Sequence, residues 1–148
     1  MDAEPLRVVV VDDDKPIRTL VRALLQRSPA TTVVADADGH PDAVAVACGQ
    51  SPDVVLLDQN LGGSRGTELI GDIVRACPHA MIAIFSALDP DAEETSALSA
   101  GAFAFYEKNV ATPSLPEILA EDYALFRRAL QGEDVCAPSA ADRRRVLG

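Results

Sequence analysis

The 148 residues suit one domain, and a formal charge of −10 argues against nonspecific nucleic-acid binding by the chain as a whole. Hydrophobic residues make up 48% and aromatics only 4%, with no Trp, so the core must be aliphatic. No apolar run approaches the ~18 residues of a membrane span, residues 1–7 carry no secretory signal, and Cys48, Cys77 and Cys136 show neither metal-ligand spacing nor a disulfide framework. The expectation is a cytoplasmic protein with reduced thiols, Cys48 and Cys77 packed on helices.

Strand-like and helix-like patterns alternate five times along the chain. Leu6–Val11 is a β-branched run suited to a buried parallel strand. Residues 16–27 follow as a helix, with Ile17, Leu20, Val21, Leu24 and Leu25 on one face, Asp14 as its cap and Pro16 in its first turn. Residues 32–37 read as a second strand and 41–49 as a short Ala/Val helix, and the third strand is Val54–Asp58. The segment Gly62-Gly63-Ser64-Arg65-Gly66 must be mobile or tightly turned. A third helix presents Leu69, Ile70, Ile73, Val74 and Cys77 to the core, and Met81–Ser86 is the fourth strand. Helix four, Pro90–Ala100, starts with acidic residues that suit the positive end of its dipole, but its apolar face is thin and should be the least firmly packed. Residues 103–106 form strand five, placing Phe103 and Phe105 on one face and Tyr106 on the other. A capping box, Ser114 to Glu117, opens a last helix carrying Ile118, Leu119, Ala124, Leu125, Phe126 and Leu130. Gln131-Gly132-Glu133 ends it, and residues 131–148 read as a tail or the start of an output linker after a domain spanning 5–130.

Such alternation implies an α/β fold with a parallel sheet and helices on both faces, and the flavodoxin-like strand order 2-1-3-4-5 is the doubly wound solution. In that order strands one and three are neighbours, so the ends bearing Asp12-Asp13-Asp14 and Asp58 meet, with Ser86 and Lys108 following on strands four and five. Crowded carboxylates repel and call for a hard divalent cation, and a lone ammonium and a hydroxyl beside it suit a phosphoryl group. Asp36 and Asp38, at the end of the edge strand, read as surface charges, and His40 and His79 as isolated loop residues without a catalytic role.

The acid pair Asp12-Asp13, the segment from Asp58 to Gly66, Ser86-Ala87, and Ala100-Gly101-Ala102 leading to Lys108 together resemble the receiver domain of two-component response regulators. The Lys108-Asn109 step is similar to that of LuxR/NarL-type receivers, and it departs from the family's frequent Lys-Pro, with its cis bond. Leu61-Gly62 stands where the family has Met-Pro. The resemblance implies a CheY-like fold and a phosphoacceptor role for Asp58, with the phosphoryl group coming from a sensor histidine kinase. It implies Mg²⁺ held directly by Asp13 and Asp58 and by the Asn60 backbone carbonyl, and through water by Asp12. Ser86 and Lys108 would contact phosphoryl oxygens, and Phe105 would turn inward as Ser86 moves. The protein would not be an enzyme beyond its own phosphoryl transfer and dephosphorylation. A homodimer is an expected partner arrangement. Direct binding of nucleic acid by this chain is not expected, and transcription would be reached through an output domain. Two other readings compete: a haloacid-dehalogenase-like phosphatase with Asp12 as nucleophile and Asp14 as acid, and a degenerate receiver that only binds partners.

Overall fold

The computed structural model describes residues 4–87, 90–108 and 114–133. The elements run β1 (Leu6–Val11), α1 (Lys15–Arg27), β2 (Thr31–Ala37), α2 (Pro41–Cys48), β3 (Val54–Asp58), a 3-10 turn (Gly66–Leu69), α3 (Ile70–Ala76), β4 (Met81–Ser86), α4 (Pro90–Ala100), β5 (Ala104–Glu107) and α5 (Leu115–Leu130). All strand pairings are parallel, in the order β2-β1-β3-β4-β5.

Both faces of the sheet are apolar, which explains why β1, β3 and β4 read as continuous hydrophobic runs. On one face Val9, Val11, Val55, Leu57, Ile82, Ile84 and Phe105 pack with Val44 and Ala47 of α2, Ile70 and Ile73 of α3, and Ala97 of α4. On the other, Val8, Val10, Leu56, Met81, Phe85 and Tyr106 pack with Val21 and Leu25 of α1 and Leu115, Ile118 and Leu119 of α5. The sheet is thus covered by three helices on one side and two on the other.

Several expectations are corrected in detail. Leu20 is 59% exposed and Val74 42%. At about 100° per residue Leu20 stands about 100° round the helix from Val21 and off the stripe formed by Ile17, Val21, Leu24 and Leu25. The third helix is split, a 3-10 turn followed by seven α-helical residues, and α3 buries only the stripe of Ile70 and Ile73, leaving Val74 at its margin. Ser114 makes no side-chain cap hydrogen bond, because its φ of −112° and ψ of 18° are not the extended conformation a cap requires. In α5, Ala124 is exposed and Leu130 largely so, and the position facing inward is Asp122. Strand five begins at Ala104, so the alternation does not extend back to Phe103. That ring packs with the Tyr106 face instead, edge-on to Phe126 at 5.3 Å. Asp14 does cap α1, accepting from the Ile17 N–H at 3.3 Å. Asp36 is more than a solvated charge, since it pairs with Arg18 at 3.4 Å and Arg22 at 2.5 Å. Cys48 and Cys77, distant in sequence, meet in space between α2 and α3, where the Cys77 thiol donates to the Cys48 carbonyl at 3.4 Å. Cys136, the Lys108–Asn109 bond and residues 134–148 of the expected tail lie outside the described residues.

Candidate functional site

The register of the sheet builds the site. Val11 of β1 lies beside Leu57 of β3, so the next residues along both strands, Asp12 and Asp58, emerge side by side at the carboxyl edge. Asp58 in turn pairs with Phe85 of β4, and Ser86 with Glu107 of β5, which delivers Ser86 and Lys108 to the same edge. Carboxylate oxygens of Asp12, Asp13 and Asp58 lie within 4.8 Å of one another. The Lys108 Nζ sits 3.2 Å from Asp12 Oδ2 and 3.3 Å from Asp58 Oδ1, and 5.7 Å from the centre of the Phe85 ring.

Asp12 and Asp58 are buried while Asp13 is exposed. Asp12 is fixed from several sides: its Oδ1 accepts the Asp14 N–H at 2.9 Å, and its carbonyl accepts the Arg18 guanidinium at 2.6 Å. Asp58 Oδ1 also accepts the Asn60 N–H at 3.3 Å. Burial, and then the charge of Asp12, push the Asp58 carboxyl up to about 6, against the pull of Lys108 and the Asn60 N–H. A dianionic pair under one ammonium is therefore a site short of positive charge.

The loop after β3 is tightly turned. Leu61 N–H donates to Ser64 O at 3.0 Å, and Gly62 and Gly63 adopt φ of 55° and 97°. A Cβ on Gly62 would fall 2.8 Å from Asp13 Oδ2, and one on Gly66 would fall 2.2 Å from the Asp58 carbonyl oxygen. Both glycines let the loop close over the acids. Asn60 anchors this turn, its Oδ1 accepting the Gly62 N–H at 3.3 Å.

Ser86 is buried at the end of β4. Phe105 is 1% exposed, in the same core cluster as Ala97 of α4. Three participants escaped the sequence reading. Arg18 holds the Asp12 backbone, and its spacing of six residues carried no signal by itself. Gln59, buried directly after Asp58, ties the loop to α4. Asp122, wholly buried, accepts the Tyr106 hydroxyl at 2.6 Å. That last one was legible, since residue 122 lies four positions from Ile118 and three from Leu119 on the apolar face.

A doubly wound parallel sheet with three acids and a lysine gathered at its carboxyl edge defines an α/β protein built for an anionic ligand and a hard cation. The chain belongs to the response regulator receiver domain family, which matches residues 8–120. It is the receiver domain of a two-component response regulator, a family that binds Mg²⁺ at an acidic pocket and receives phosphoryl groups from sensor histidine kinases. It is similar to the nitrate/nitrite response regulator protein NarP of Escherichia coli (strain K12), 33% identical over 120 residues that cover 81% of this chain and 54% of that protein. It is also similar to the transcriptional regulatory protein DegU of Brevibacillus brevis, 29% identical over 76% of this chain and 48% of that protein. Among solved structures, the signal receiver domain of the putative response regulator NarL from Mycobacterium tuberculosis matches with a TM-score of 0.73 at 29% identity, covering 82% of this chain and 98% of that one. A LuxR-family two-component response regulator from Aurantimonas sp. SI85-9A1 matches with a TM-score of 0.69 at 28% identity, covering 96% of each chain. The chain spans about half the length of the curated relatives NarP and DegU. Among the described residues no helix is long and apolar enough to cross a membrane.

Proposed function

We propose that Asp58 is the phosphoacceptor and that this receiver drives an output through its α4–β5–α5 face. The observation that carries the reading is the Lys108 ammonium placed within 3.3 Å of both Asp12 and Asp58, with Asp13 beside them. An Asp58 carboxylate oxygen attacks phosphorus, the phosphorus–nitrogen bond of the kinase phosphohistidine breaks, and the imidazole leaves with its electron pair. Lys108 pairs with one phosphoryl oxygen and the Ser86 hydroxyl donates to another.

The donor set fits Mg²⁺. All side-chain ligands are hard oxygens, two of the acids are buried with too little positive charge, and the exposed Asp13 is open to a cation that keeps several waters. Asp13, Asp58 and the Asn60 carbonyl would hold it, and Asp12 would hold one of its waters. Bound there, the ion supplies neutralisation of the charge gathering on the phosphoryl oxygens. The phosphatase reading is weakened because Asp14, its acid, is an exposed helix cap, and Asp12, its nucleophile, has both oxygens engaged.

The name of DegU, a transcriptional regulatory protein of which this chain spans about half, supports transcription regulation through a further domain. Another relative is named a protein-glutamate methylesterase, so an enzymatic output is the alternative. Incubation with Mg²⁺ and acetyl phosphate should add one phosphoryl mass to the wild type and none to Asp58→Asn. A label retained in Asp58→Asn but lost in Asp12→Asn would overturn the assignment.

A further inference from the structure

Among the described side chains of α4, Ala97 is buried against the sheet, while Leu98 is 39% exposed. Glu93 of the same helix enters a polar knot with the loop that follows the phosphoacceptor. The Gln59 Nε2 donates to Glu93 Oε2 at 3.1 Å, and the Arg65 guanidinium pairs with the same oxygen. Gln59 is itself buried and doubly anchored: its Oε1 accepts the Thr67 N–H at 3.1 Å and its carbonyl accepts the Gly66 N–H at 2.8 Å. One side chain thus joins the residue next to Asp58, the loop leading to α3, and α4. Hydrogen bonds from Arg65 and then Gln59 hold the Glu93 carboxyl below its ordinary range, so it is ionised at neutral pH.

We propose that Glu93, gripped by Gln59 and Arg65, is a latch that holds α4 against the phosphoacceptor loop and is weakened when Asp58 is phosphorylated. The proposal rests on Asp58 being the phosphoacceptor. The sign follows from charge. Asp58 carries one negative charge before the transfer and about two after it, so at constant Mg²⁺ the phosphoryl group adds about one negative charge to the residue bonded to Gln59, and like charges repel. The Glu93 carboxylate is therefore less stable in its grip once that charge is present. Coupling is reciprocal, so a closed latch must also oppose the arrival of the charge. Releasing it should favour phosphorylation and loosen α4 together.

The test uses the beryllofluoride mimic with Mg²⁺ and hydrogen exchange on the same chain. Glu93→Gln keeps the shape and removes the charge, and Glu68→Gln, an exposed acid of the neighbouring 3-10 turn, removes the same charge outside the knot. Glu93→Gln should bind beryllofluoride about two- to five-fold more tightly, the range of a partly exposed ion pair. It should also exchange α4 amides faster without ligand, with α1 unchanged. Glu68→Gln should do neither. Unchanged or weakened affinity in Glu93→Gln, or equal shifts in both variants, overturns the latch. Failure of the wild type to bind beryllofluoride overturns the phosphoacceptor reading instead, and α4 exchange in the free variants still judges the latch.

Discussion

Replacing Asp58 with asparagine should stabilise the metal-free protein at neutral pH, with an effect that disappears in acid. The carboxyl is raised from its ordinary 3.8 to about 6, first by burial and then by the charge of Asp12. At about 1.4 kcal/mol per pH unit, this corresponds to a cost of roughly 3 kcal/mol for holding the ionised form in the fold. The folded state binds this proton more tightly than the unfolded chain does. The stability linked to Asp58 is therefore fully present below about pH 4 and is lost as pH rises to about 6. Asparagine keeps the shape and an acceptor oxygen for Lys108 and the Asn60 N–H, and the value of about 6 already includes the pull of the Lys108 ion pair. Urea unfolding in chelator-treated buffer should find Asp58→Asn more stable by about 2–3 kcal/mol at pH 7.5 and nearly equal to wild type at pH 4. A difference that does not vary with pH, or a variant less stable at pH 7.5, would refute the argument. It would mean that Lys108 outweighs burial and Asp12.

Asp13→Ala should abolish saturable Mg²⁺ binding in a titration, because it removes the one exposed acid of the cluster, and undiminished binding would dismiss Asp13 as a ligand. Tyr106→Phe removes the phenol hydrogen from buried Asp122 and should cost about 1–3 kcal/mol in urea unfolding, where a neutral result would show that the 2.6 Å bond adds nothing net. Gly66→Ala should destabilise the fold by about 1–3 kcal/mol and slow labelling of Asp58 by acetyl phosphate, since its Cβ would fall 2.2 Å from the Asp58 carbonyl oxygen; normal labelling would show that the loop yields at no cost to the site. The Cys48 thiol is pushed up to about 12 by burial and by Cys77, so it should resist alkylation at pH 8 in the native protein and react once denatured. Rapid native labelling at Cys48, read by peptide mass, would contradict its placement.

The sequence by itself determined the elements and the chemistry of the edge. The runs Val8–Val11, Val54–Leu57 and Met81–Phe85 are apolar on both faces, which a strand covered on both sides requires, and each is followed by a polar residue at its carboxyl end. Five alternations of strand and helix then leave few topologies, and the resemblance singled out the order that the sheet adopts. Tertiary structure alone decided what depends on contacts distant in sequence. Register placed Lys108 against Asp12 and Asp58 and buried two acids deeply enough to shift one of them to about 6. The grip of Gln59 and Arg65 on Glu93, and the meeting of Cys48 with Cys77, join elements that no local pattern connects. Leu20 and Val74 came out exposed because a helix buries only the stripe its neighbours cover, and that width is set by packing against the sheet. For Asp122 the spacing to Ile118 and Leu119 already sets the inward face, and what the fold alone supplies is its partner, the Tyr106 hydroxyl on β5.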